Sequence, residues 1–291
     1  RNIPVSGIID SGTMPRVLVV LGADGIVGRG AVEAALDAGR AVVAVGLDEA
    51  ARRALLQRHP QARLAALADT VSSDADAAAL AARLRVPGVA IDGVVASLVG
   101  SHPCGRLAEG PAEVLQRALD QDLLPHLFAA RHLLPLLAPD SAGYVLVGGP
   151  GGRYPWAGYG HCSIAAAALR MMARVLHDEA GREGRRVQLL AMDAPVASDP
   201  TLALALGRRA LAMLDAARGG CQPIVDYAAP MTSEVIATAP MPASRSMHPP
   251  PSQRAAGSSS LVPARDLRAA RALLDAIAFP TSPGSLHDEH C

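Results

Sequence analysis

The chain alternates short apolar runs with longer segments in which apolar residues recur every three or four positions. The short runs predict buried β-strands, and the longer segments predict amphipathic helices. The predicted strands are Arg16–Leu21, Ala41–Val45, Arg63–Leu67, Asp92–Ser97, Tyr144–Val147 and Val187–Met192. The helices that follow them are Arg29–Ala38, Asp48–His59, Asp74–Leu84, Ala112–Leu137, Gly158–Gly181 and Leu202–Ala217. This alternation predicts an α/β fold in which a doubly wound parallel sheet carries helices on both faces.

The alternation ends in the last third of the chain. Cys221–Tyr227 predicts a final edge strand, and the following segment is dense in Pro, Ser, Met and Ala with little periodicity. Asp266–Ile277 is again amphipathic, so we expect a helix that docks on the parent domain or, less commonly, on a partner subunit. The predicted domains are an added or disordered leader at 1–13, the α/β domain at 14–227, a linker or flap at 228–262 and a C-terminal helix and tail at 263–291.

A glycine turn lies between the first predicted strand and the first helix. Gly22 permits the tight turn, Gly25 lets a phosphate approach the backbone, and Gly28 allows close packing of the helix. Because a helix amino end offers free N–H groups, the turn predicts a nucleotide or dinucleotide site, although glycines kept only for packing would give the same pattern. A carboxylate at Asp24 would lie unfavourably close to pyrophosphate. The cofactor-binding residues predicted here are Gly22, Asp24, Gly25, Ile26 and Gly28.

The end of the second predicted strand should distinguish the two nicotinamide cofactors. An acid there binds an adenosine ribose, and an arginine there binds a 2′-phosphate. The sequence at this point is Gly46-Leu47-Asp48. Asp48 follows Gly28 by twenty residues, which suits a ribose acid, but it equally suits the amino cap of the next helix. NAD and NADP therefore both remain candidates.

Composition limits the chemistry and the partners. The chain has no lysine, so arginine supplies all 27 basic side chains. These balance 27 acidic residues, and the lack of net charge argues against nucleic-acid or membrane partners and favours a small-molecule ligand. No apolar run approaches the ~20 residues needed to cross a bilayer. The four cysteines are scattered without a Cys-x-x-Cys pair, which indicates reduced thiols and a cytoplasmic protein.

From Pro15 to Tyr227 the chain resembles the short-chain dehydrogenase/reductase family. The turn GADGIVG is similar to the family's glycine motif, LADT places Asp69 where the family often contacts adenine, and DGVVASLVG matches the strand that usually ends in Asn-Asn-Ala-Gly. The segments LDQDLLPHLFAARHLLPLL, GYVLVGGPGG and GYGHCSIAAAALRMMARVL are similar to the family's fourth helix, fifth strand and catalytic helix. The resemblance implies a Rossmann-like, NAD(P)-dependent oxidoreductase that forms a homodimer or homotetramer.

The chain departs from the family at most of its catalytic positions. Asp122 stands where the family has asparagine, Gly148 or Gly149 where it has serine, and Ser163 where it has lysine, so only Tyr159 is retained. In the family that lysine holds the nicotinamide ribose and lowers the pKa of the tyrosine. A serine can hydrogen-bond a ribose but carries no charge. The resemblance therefore implies a catalytic set of Tyr159, Ser163 and Asp122, with weak or absent cofactor binding.

Two loops near the carboxyl ends of the strands supply candidate substrate-binding residues. His102 follows the fourth predicted strand, and Arg153 and Trp156 follow the fifth. Arg153 could bind a carboxylate or phosphate with Trp156 as an apolar wall, but an exposed arginine and a loop-anchoring tryptophan would give the same sequence.

The predicted helix after the fifth strand carries further polar groups. Helical spacing places Cys162 and Ser163 on one face with Tyr159 and points His161 elsewhere. A Tyr159 phenol working with Asp122 or His102 as an acid/base pair is one hypothesis. No metal site is predicted, since the metal-ligand types in the tail have no distant partner ligands; they are His287, His290 and Cys291.

Two classes of function remain open. In the first, the chain is an enzyme acting on a small organic substrate, either a divergent reductase or a non-redox catalyst such as a cyclase, dehydratase or isomerase that uses Tyr159. In the second, it is a catalytically inactive subunit that pairs with an active homologue. An apolar helix stripe is predicted to exceed what one sheet face needs and to lie in an isologous interface. Its members are Ala165, Leu169, Met172 and Leu176.

Overall fold

The computed structural model describes residues 16–137, 143–193, 199–216 and 221–227. Within them, seven parallel strands form one sheet in the order β3-β2-β1-β4-β5-β6-β7. The strands are β1 (Arg16–Leu21), β2 (Ala41–Val45), β3 (Leu64–Leu67), β4 (Ala90–Ala96), β5 (Gly143–Gly148), β6 (Val187–Met192) and β7 (Ile224–Tyr227). The predicted doubly wound parallel sheet is confirmed, and the final edge strand pairs parallel to β6.

Helices cover the sheet on both sides. They are α1 (Ile26–Asp37), α2 (Glu49–Arg58), α3 (Asp74–Leu84), α4 (Ala112–Asp122), α5 (Leu124–Leu133), α6 (Gly160–Arg182) and α7 (Pro200–Asp215). One apolar layer joins the sheet to α3, α5 and α6, and the other joins it to α1, α2 and α7. Because both faces are covered, the strands are apolar along their whole length rather than alternating.

The strand order reverses between β1 and β4, which lie side by side at the centre of the sheet. The chain first moves outward to β2 and β3 and then returns to continue on the other side of β1. In open sheets of this kind the loops after neighbouring strands diverge at such a point and leave a crevice at the carboxyl ends of the strands. The fold therefore places the loops after β1, β4 and β5 around one crevice.

The prediction of one continuous helix over Ala112–Leu137 is wrong. It breaks at Leu123, whose φ of −115° and ψ of −59° separate α4 from α5, and it ends in a 3₁₀ turn at Leu134–Leu136. Pro125 explains the break, because proline has no N–H to donate to the preceding turn and its ring crowds that turn. The break places Asp122 at the carboxyl end of α4.

Two glycines bring α1 and α7 into backbone contact. A Cβ on Gly30 would lie 2.0 Å from the carbonyl oxygen of Ala203, and a Cβ on Gly207 would lie 2.2 Å from the carbonyl oxygen of Gly30. No side chain fits at either position without separating the helices. Glycine inside a helix costs about 0.5–1 kcal/mol relative to alanine, so the close packing of the two helices must offset that cost.

Several predictions concern residues outside the described ranges. These are the leader at 1–13, the linker or flap at 228–262, the helix at Asp266–Ile277 and the metal-ligand types of the tail. Among the described residues, no helix combines the length and apolar character needed to span a membrane.

Candidate active site

A cavity of about 760 Å³ opens at the carboxyl edge of the sheet. It extends from the glycine turn after β1 to the loop after β4 and the start of α6, so it joins the predicted nucleotide site to the predicted catalytic groups. Its lining includes Gly22, Gly25, Asp69, Asp122 and Tyr159. The crevice at the strand-order reversal is thus a single continuous pocket.

The glycine turn has the shape needed to hold a phosphate group. Gly22 has a φ of +69°, and a Cβ there would lie 1.9 Å from the carbonyl oxygen of Ser97. A Cβ on Gly28 would lie 2.0 Å from the carbonyl oxygen of Gly22, so Gly28 serves packing beneath the turn. Gly25 is the amino cap of α1 and provides no capping side chain, which leaves the first N–H groups of the helix open to an anion.

The end of β2 presents no charged or polar side chain to the pocket, since Val45 and Gly46 are the residues that line it there. Gly46, with a φ of +97°, lines the pocket, while Leu47 is buried in the core. The Oδ1 atom of Asp24 lies 3.6 Å from the point where a Cβ on Gly46 would be. A carboxylate therefore stands beside the end of β2, but it comes from the glycine turn and not from the strand.

The other predicted ribose acid has a different role. Asp48 is the amino cap of α2, where its Oδ1 accepts a hydrogen bond from the N–H of Ala51 at 2.7 Å. It does not line the pocket. Asp69, the predicted adenine contact, does line the pocket and pairs with Arg83 at 2.5 Å.

The pocket has a strongly acidic lining. Among the described residues its lining has no arginine, and the chain has no lysine. The carboxylates along it are those of Asp24, Asp69, Asp120 and Asp122. This charge works against the phosphates of a dinucleotide, so the backbone N–H groups of the glycine turn must supply most of the attraction.

Asp122 and His102 meet at the inner end of the pocket. The Oδ1 atom of Asp122 accepts a hydrogen bond from the N–H of Gly100 at 2.6 Å, and its Oδ2 lies 2.8 Å from Nε2 of His102. The side chains of His102 and Asp122 are 4% and 15% exposed. Neither ring nitrogen of His102 forms a hydrogen bond of good geometry with any described residue. The structure thus brings these two predicted site residues together across 20 positions of the chain.

Tyr159 stands at the entrance to α6. Its ring stacks on that of Trp156, with centroids 4.0 Å apart and an angle of 20° between the planes, and both residues line the pocket. Trp156 therefore forms part of the pocket wall and also holds the ring of Tyr159 in place. The φ of −131° and ψ of 43° at Tyr159 show that it precedes the first helical residue.

His161 does not line the pocket, in keeping with the prediction that it points elsewhere, but its ring packs against those of His102 and Tyr159. Its ring is 2% exposed, 5.7 Å from that of His102 and 6.2 Å from that of Tyr159, measured between centroids. Burial lowers the pKa of His161, and His102 lowers it further, whereas Asp122 raises it.

Ser163, the residue at the family's lysine position, is committed to the loop before α6. Its Oγ accepts a hydrogen bond from the N–H of Trp156 at 2.9 Å and donates one to the carbonyl of Tyr159 at 3.1 Å. It is 8% exposed and lies outside the pocket lining. The hydroxyl is therefore not directed at a ribose, and its predicted catalytic role finds no support in this geometry.

Cys162, in the first turn of α6, lines the pocket. It lies with His102 and Asp122 in a group whose potential ligand atoms are all within 4.8 Å of one another. Burial, and then the carboxylate of Asp122, raise the pKa of the Cys162 thiol to about 11. Sequence patterns gave no reason to join these three residues, because they come from a loop, the end of α4 and the start of α6.

Arg153 lies outside the pocket lining. Its guanidinium is 3.7 Å from the carboxylate of Asp226 at the end of the sheet and stands over the ring of Tyr154. Asp226 also pairs with Arg170 at 2.7 Å, and these arginines lower the pKa of Asp226. The structure thus favours the alternative in which Arg153 is an exposed arginine with a structural partner.

The apolar stripe predicted for an interface faces the core instead. Ala165 and Leu169 are buried, and Met172 and Leu176 pack against the same core. The stripe belongs to the sheet because α6 packs directly on β5 and β6. A different stripe of α6 is exposed; it consists of Ile164, Met171 and Val175.

The sequence matches a family model described as enoyl-(acyl carrier protein) reductase over residues 22–201. No curated protein gives a significant match. A short-chain dehydrogenase from Streptomyces avermitilis has a similar fold, with a TM-score of 0.64 and 20% identity over 76% of this chain and 89% of that one.

Two further solved structures have the same fold. One is an NADPH-bound short-chain oxidoreductase from Pseudomonas aeruginosa PAO1 containing an atypical catalytic centre; its TM-score is 0.64, with 20% identity over 75% of this chain and 97% of that one. The other is a short-chain dehydrogenase/reductase family oxidoreductase from Burkholderia thailandensis, with a TM-score of 0.63 and 22% identity over 74% of this chain and 91% of that one.

Proposed function

The chain belongs to the short-chain dehydrogenase/reductase family, and on that basis we propose that it is a nicotinamide-dependent oxidoreductase with an atypical catalytic set. Its substrate is a small organic molecule. The observation that carries the proposal is the continuous pocket from the glycine turn to Tyr159. A protein that had kept the fold only as a scaffold would not need this passage open.

The residues of the glycine turn fit a dinucleotide. The uncapped amino end of α1 at Gly25 would hold the pyrophosphate, and Asp69 lies at the adenine end of the pocket. When bound, the nicotinamide supplies or accepts a hydride. The missing lysine removes contacts worth about 1.5–3 kcal/mol each, so we propose weak binding, nearer to millimolar than micromolar.

We further propose that the site prefers NAD to NADP. The carboxylate of Asp24 stands beside Gly46, where it can accept hydrogen bonds from the hydroxyls of an adenosine ribose. A 2′-phosphate at the same position would face the Asp24 carboxylate, and the described pocket lining contains no arginine to pair with it. The proposed preference for NAD thus has one cause: the Asp24 carboxylate attracts ribose hydroxyls and repels a 2′-phosphate.

The chemistry assigned to the inner end of the pocket is proton transfer and charge stabilisation. Tyr159, held by the Trp156 stack, is the residue that exchanges a proton with the substrate oxygen. Gly148 and Gly149 provide no hydroxyl to polarise a carbonyl, and Ser163 is engaged elsewhere. The group of His102, Asp122 and Cys162 is the polar cluster that takes over this task. The Pseudomonas aeruginosa oxidoreductase, whose catalytic centre is described as atypical, supports the idea that this fold accommodates such departures.

A second candidate is a catalytically inactive subunit that pairs with an active homologue. It is favoured by the absence of a hydroxyl at Gly149 and by the engagement of Ser163 with the loop. Both candidates predict assembly, since members of the family are generally oligomeric. We propose that the stripe formed by Ile164, Met171 and Val175 contributes to a homodimer or homotetramer. We retain a cytoplasmic location as an expectation, in keeping with the free thiols of Cys104 and Cys162.

Calorimetric titration with NAD⁺, NADH, NADP⁺ and NADPH tests the proposed function. We expect saturable but weak binding that is tighter for the NAD pair. Gly25→Val should remove it by placing a side chain where the pyrophosphate lies. Gly181→Val is the matched control, because a Cβ there meets nothing within 4 Å. No binding of any of the four, with the fold intact, would favour the inactive subunit, and low-micromolar NADPH binding would contradict the cofactor proposal.

A further inference from the structure

Three metal-ligand types converge at the inner end of the pocket. His102 comes from the loop after β4, Asp122 from the end of α4 and Cys162 from the first turn of α6. Their potential ligand atoms all lie within 4.8 Å of one another, and all three residues line the pocket. We propose that this cluster binds one divalent transition-metal ion of the zinc type. The catalytic role given to the ion below depends on the proposed function, whereas the binding site itself does not.

Asp122 and His102 pair with each other in this structure, and the same two side chains each offer a potential metal-ligand atom. The N–H of Gly100 holds Oδ1 of Asp122 at 2.6 Å, which fixes the carboxylate and leaves Oδ2 beside Nε2 of His102. These two atoms are 2.8 Å apart, within ion-pair distance, and a bound tetrahedral ion would need to widen that separation to about 3.3 Å. Metal-bound carboxylates are commonly oriented by such an outer hydrogen bond.

The burial of His102 provides a second, independent observation. Its side chain is only 4% exposed, Nε2 is paired with the Asp122 carboxylate, and Nδ1 has no hydrogen-bond partner among the described residues. Buried polar groups are nearly always satisfied, and one that is not calls for an explanation such as a bound ion. A metal ion between the imidazole, the carboxylate and the thiol would satisfy the ring nitrogen that faces them.

The donor set and the charge both fit zinc. Zn²⁺ binds imidazole nitrogen, carboxylate oxygen and thiolate sulfur, and catalytic zinc sites have three protein ligands with one open position. The carboxylate and the thiolate would together balance the two positive charges of the ion. The described lining of the pocket contains no arginine that could balance the charge of Asp122. Because all three ligands line the pocket, the open position would face a bound substrate.

Such an ion would replace the groups that the chain lacks. A zinc ion with an open position attracts electron density from a carbonyl or hydroxyl oxygen and stabilises negative charge there. During reduction of a carbonyl, hydride would go to the carbon and the Tyr159 proton to the oxygen while the ion holds that oxygen. The oxidation of an alcohol would run the same transfers in reverse.

Cobalt(II) titration of the full-length chain tests for the site. The protein is first stripped with a chelator, and the tail ligands are removed by His287→Ala, His290→Ala and Cys291→Ser. We expect one Co²⁺ per chain, a thiolate-to-cobalt charge-transfer band and visible bands typical of four-coordination, all displaced by Zn²⁺. Absence of saturable binding, or binding that disappears when only the tail ligands are changed, would overturn the proposal.

Two cysteine variants identify the ligand. Cys162→Ser should abolish the charge-transfer band and weaken Zn²⁺ binding by at least about tenfold to a hundredfold, whereas Cys104→Ser, at an exposed thiol of the neighbouring loop, should change neither. A band that survives Cys162→Ser would contradict the assignment. Alkylation of the unmutated chain gives a readout that does not depend on a folded variant. Zn²⁺ should protect Cys162 and leave Cys104 reactive, and unprotected Cys162 would overturn the site.

The nucleotide titration keeps the two proposals separate. Binding of NAD without binding of Co²⁺ or Zn²⁺ would remove the metal site and leave the proposed function in place. Metal binding without any nucleotide binding would support the site and count against the oxidoreductase.

Discussion

The hydroxyl of Ser163 accepts a hydrogen bond from the backbone N–H of Trp156, 2.9 Å away. The same hydroxyl donates to the carbonyl of Tyr159, so one side chain fixes both residues of the aromatic stack at the pocket wall. The position that holds lysine in other family members is therefore structural in this chain. It supports the loop that positions Tyr159 instead of contacting a cofactor.

We expect Ser163→Ala to lower the free energy of unfolding by about 1–3 kcal/mol, because the part-buried N–H of Trp156 loses its partner. Ser163→Lys should be more destabilising and should not raise activity, because the Ser163 side chain packs closely against Gly151. The hydroxyl lies only 2.6 Å from the point where a Cβ on Gly151 would be, so a longer side chain does not fit there. Urea unfolding measures both variants. Ser101→Ala, which removes an exposed hydroxyl, is the control and should change stability by less than about 0.5 kcal/mol. Higher activity in Ser163→Lys would contradict the structural role.

Tyr159→Phe should abolish turnover while leaving nucleotide binding within about twofold, because the variant loses the proton donor and keeps the ring that stacks on Trp156. Tyr154→Phe is the matched control. Tyr154 is 70% exposed and lies outside the pocket lining, so its hydroxyl should be dispensable. Steady-state kinetics and calorimetry together distinguish loss of chemistry from loss of binding. Equal activity in the two variants would show that Tyr159 is a packing residue.

Asp24→Asn should shift cofactor preference toward NADP. The neutral amide removes a charged acceptor for the ribose and a repulsive charge on the 2′-phosphate, and we expect the ratio of the two dissociation constants to change by about tenfold or more. Asp120→Asn removes a carboxylate from the same pocket lining and should leave the ratio unchanged. Parallel titrations of NAD⁺ and NADP⁺ give the ratio. An unchanged ratio in Asp24→Asn would remove Asp24 from cofactor recognition.

His126 should make the fold sensitive to mild acid. Burial lowers the pKa of its imidazole from 6.5 to about 4, although its hydrogen bond to the carbonyl of Leu98 opposes the shift. Between these values the unfolded chain takes up a proton that the folded chain refuses, so stability is full above about pH 6.5 and falls as the pH drops toward 4. From pH 7 to pH 5 this amounts to about 2 kcal/mol.

Urea unfolding at the two pH values checks this effect with two matched variants. His126→Gln, which keeps a donor for the Leu98 carbonyl, should lose less stability between pH 7 and pH 5 than the unmutated chain does. His132→Gln, at a partly exposed ring that pairs with Asp74, should retain the full loss. Identical pH dependence in His126→Gln and the unmutated chain would show that His126 does not titrate as described.

Assembly should depend on the exposed stripe of α6. Light scattering at micromolar concentration is expected to give at least twice the chain mass of 29.8 kDa. Met171→Glu should reduce this mass to that of a monomer, because a charge would be buried in an apolar interface. Ala82→Glu makes the same change at an exposed position of α3 and should leave the assembly intact. A monomer that persists on concentration would contradict the interface.

Local patterns were enough to predict most of the fold. The strands are buried on both faces, so their apolar runs mark them clearly, and the glycine turn stands directly between β1 and α1. The break at Leu123 could also have been predicted, because Pro125 lies well inside the proposed helix. It was missed because the leucine-rich periodicity continues across the proline.

The site was less accessible to sequence reasoning. The hydrogen bonds of Ser163 depend on how the preceding loop folds back on α6, which helical spacing does not reveal. The approach of Asp24 to the end of β2 requires the positive φ angles of Gly22 and Gly46, which no hydrophobic pattern encodes. Contacts between separate loops depend on the tertiary structure, so the meeting of His102, Asp122 and Cys162 could not be predicted.

The backbone contact of Gly30 with Gly207 makes α1 and α7 one mechanical unit. Their main chains touch with no side chain between them, so neither helix can slide or tilt without carrying the other. The amino end of α1 is the phosphate-binding turn, and the amino end of α7 begins beside Asp199, which caps it. A ligand that shifted the turn would therefore shift α7 and its cap Asp199 with it.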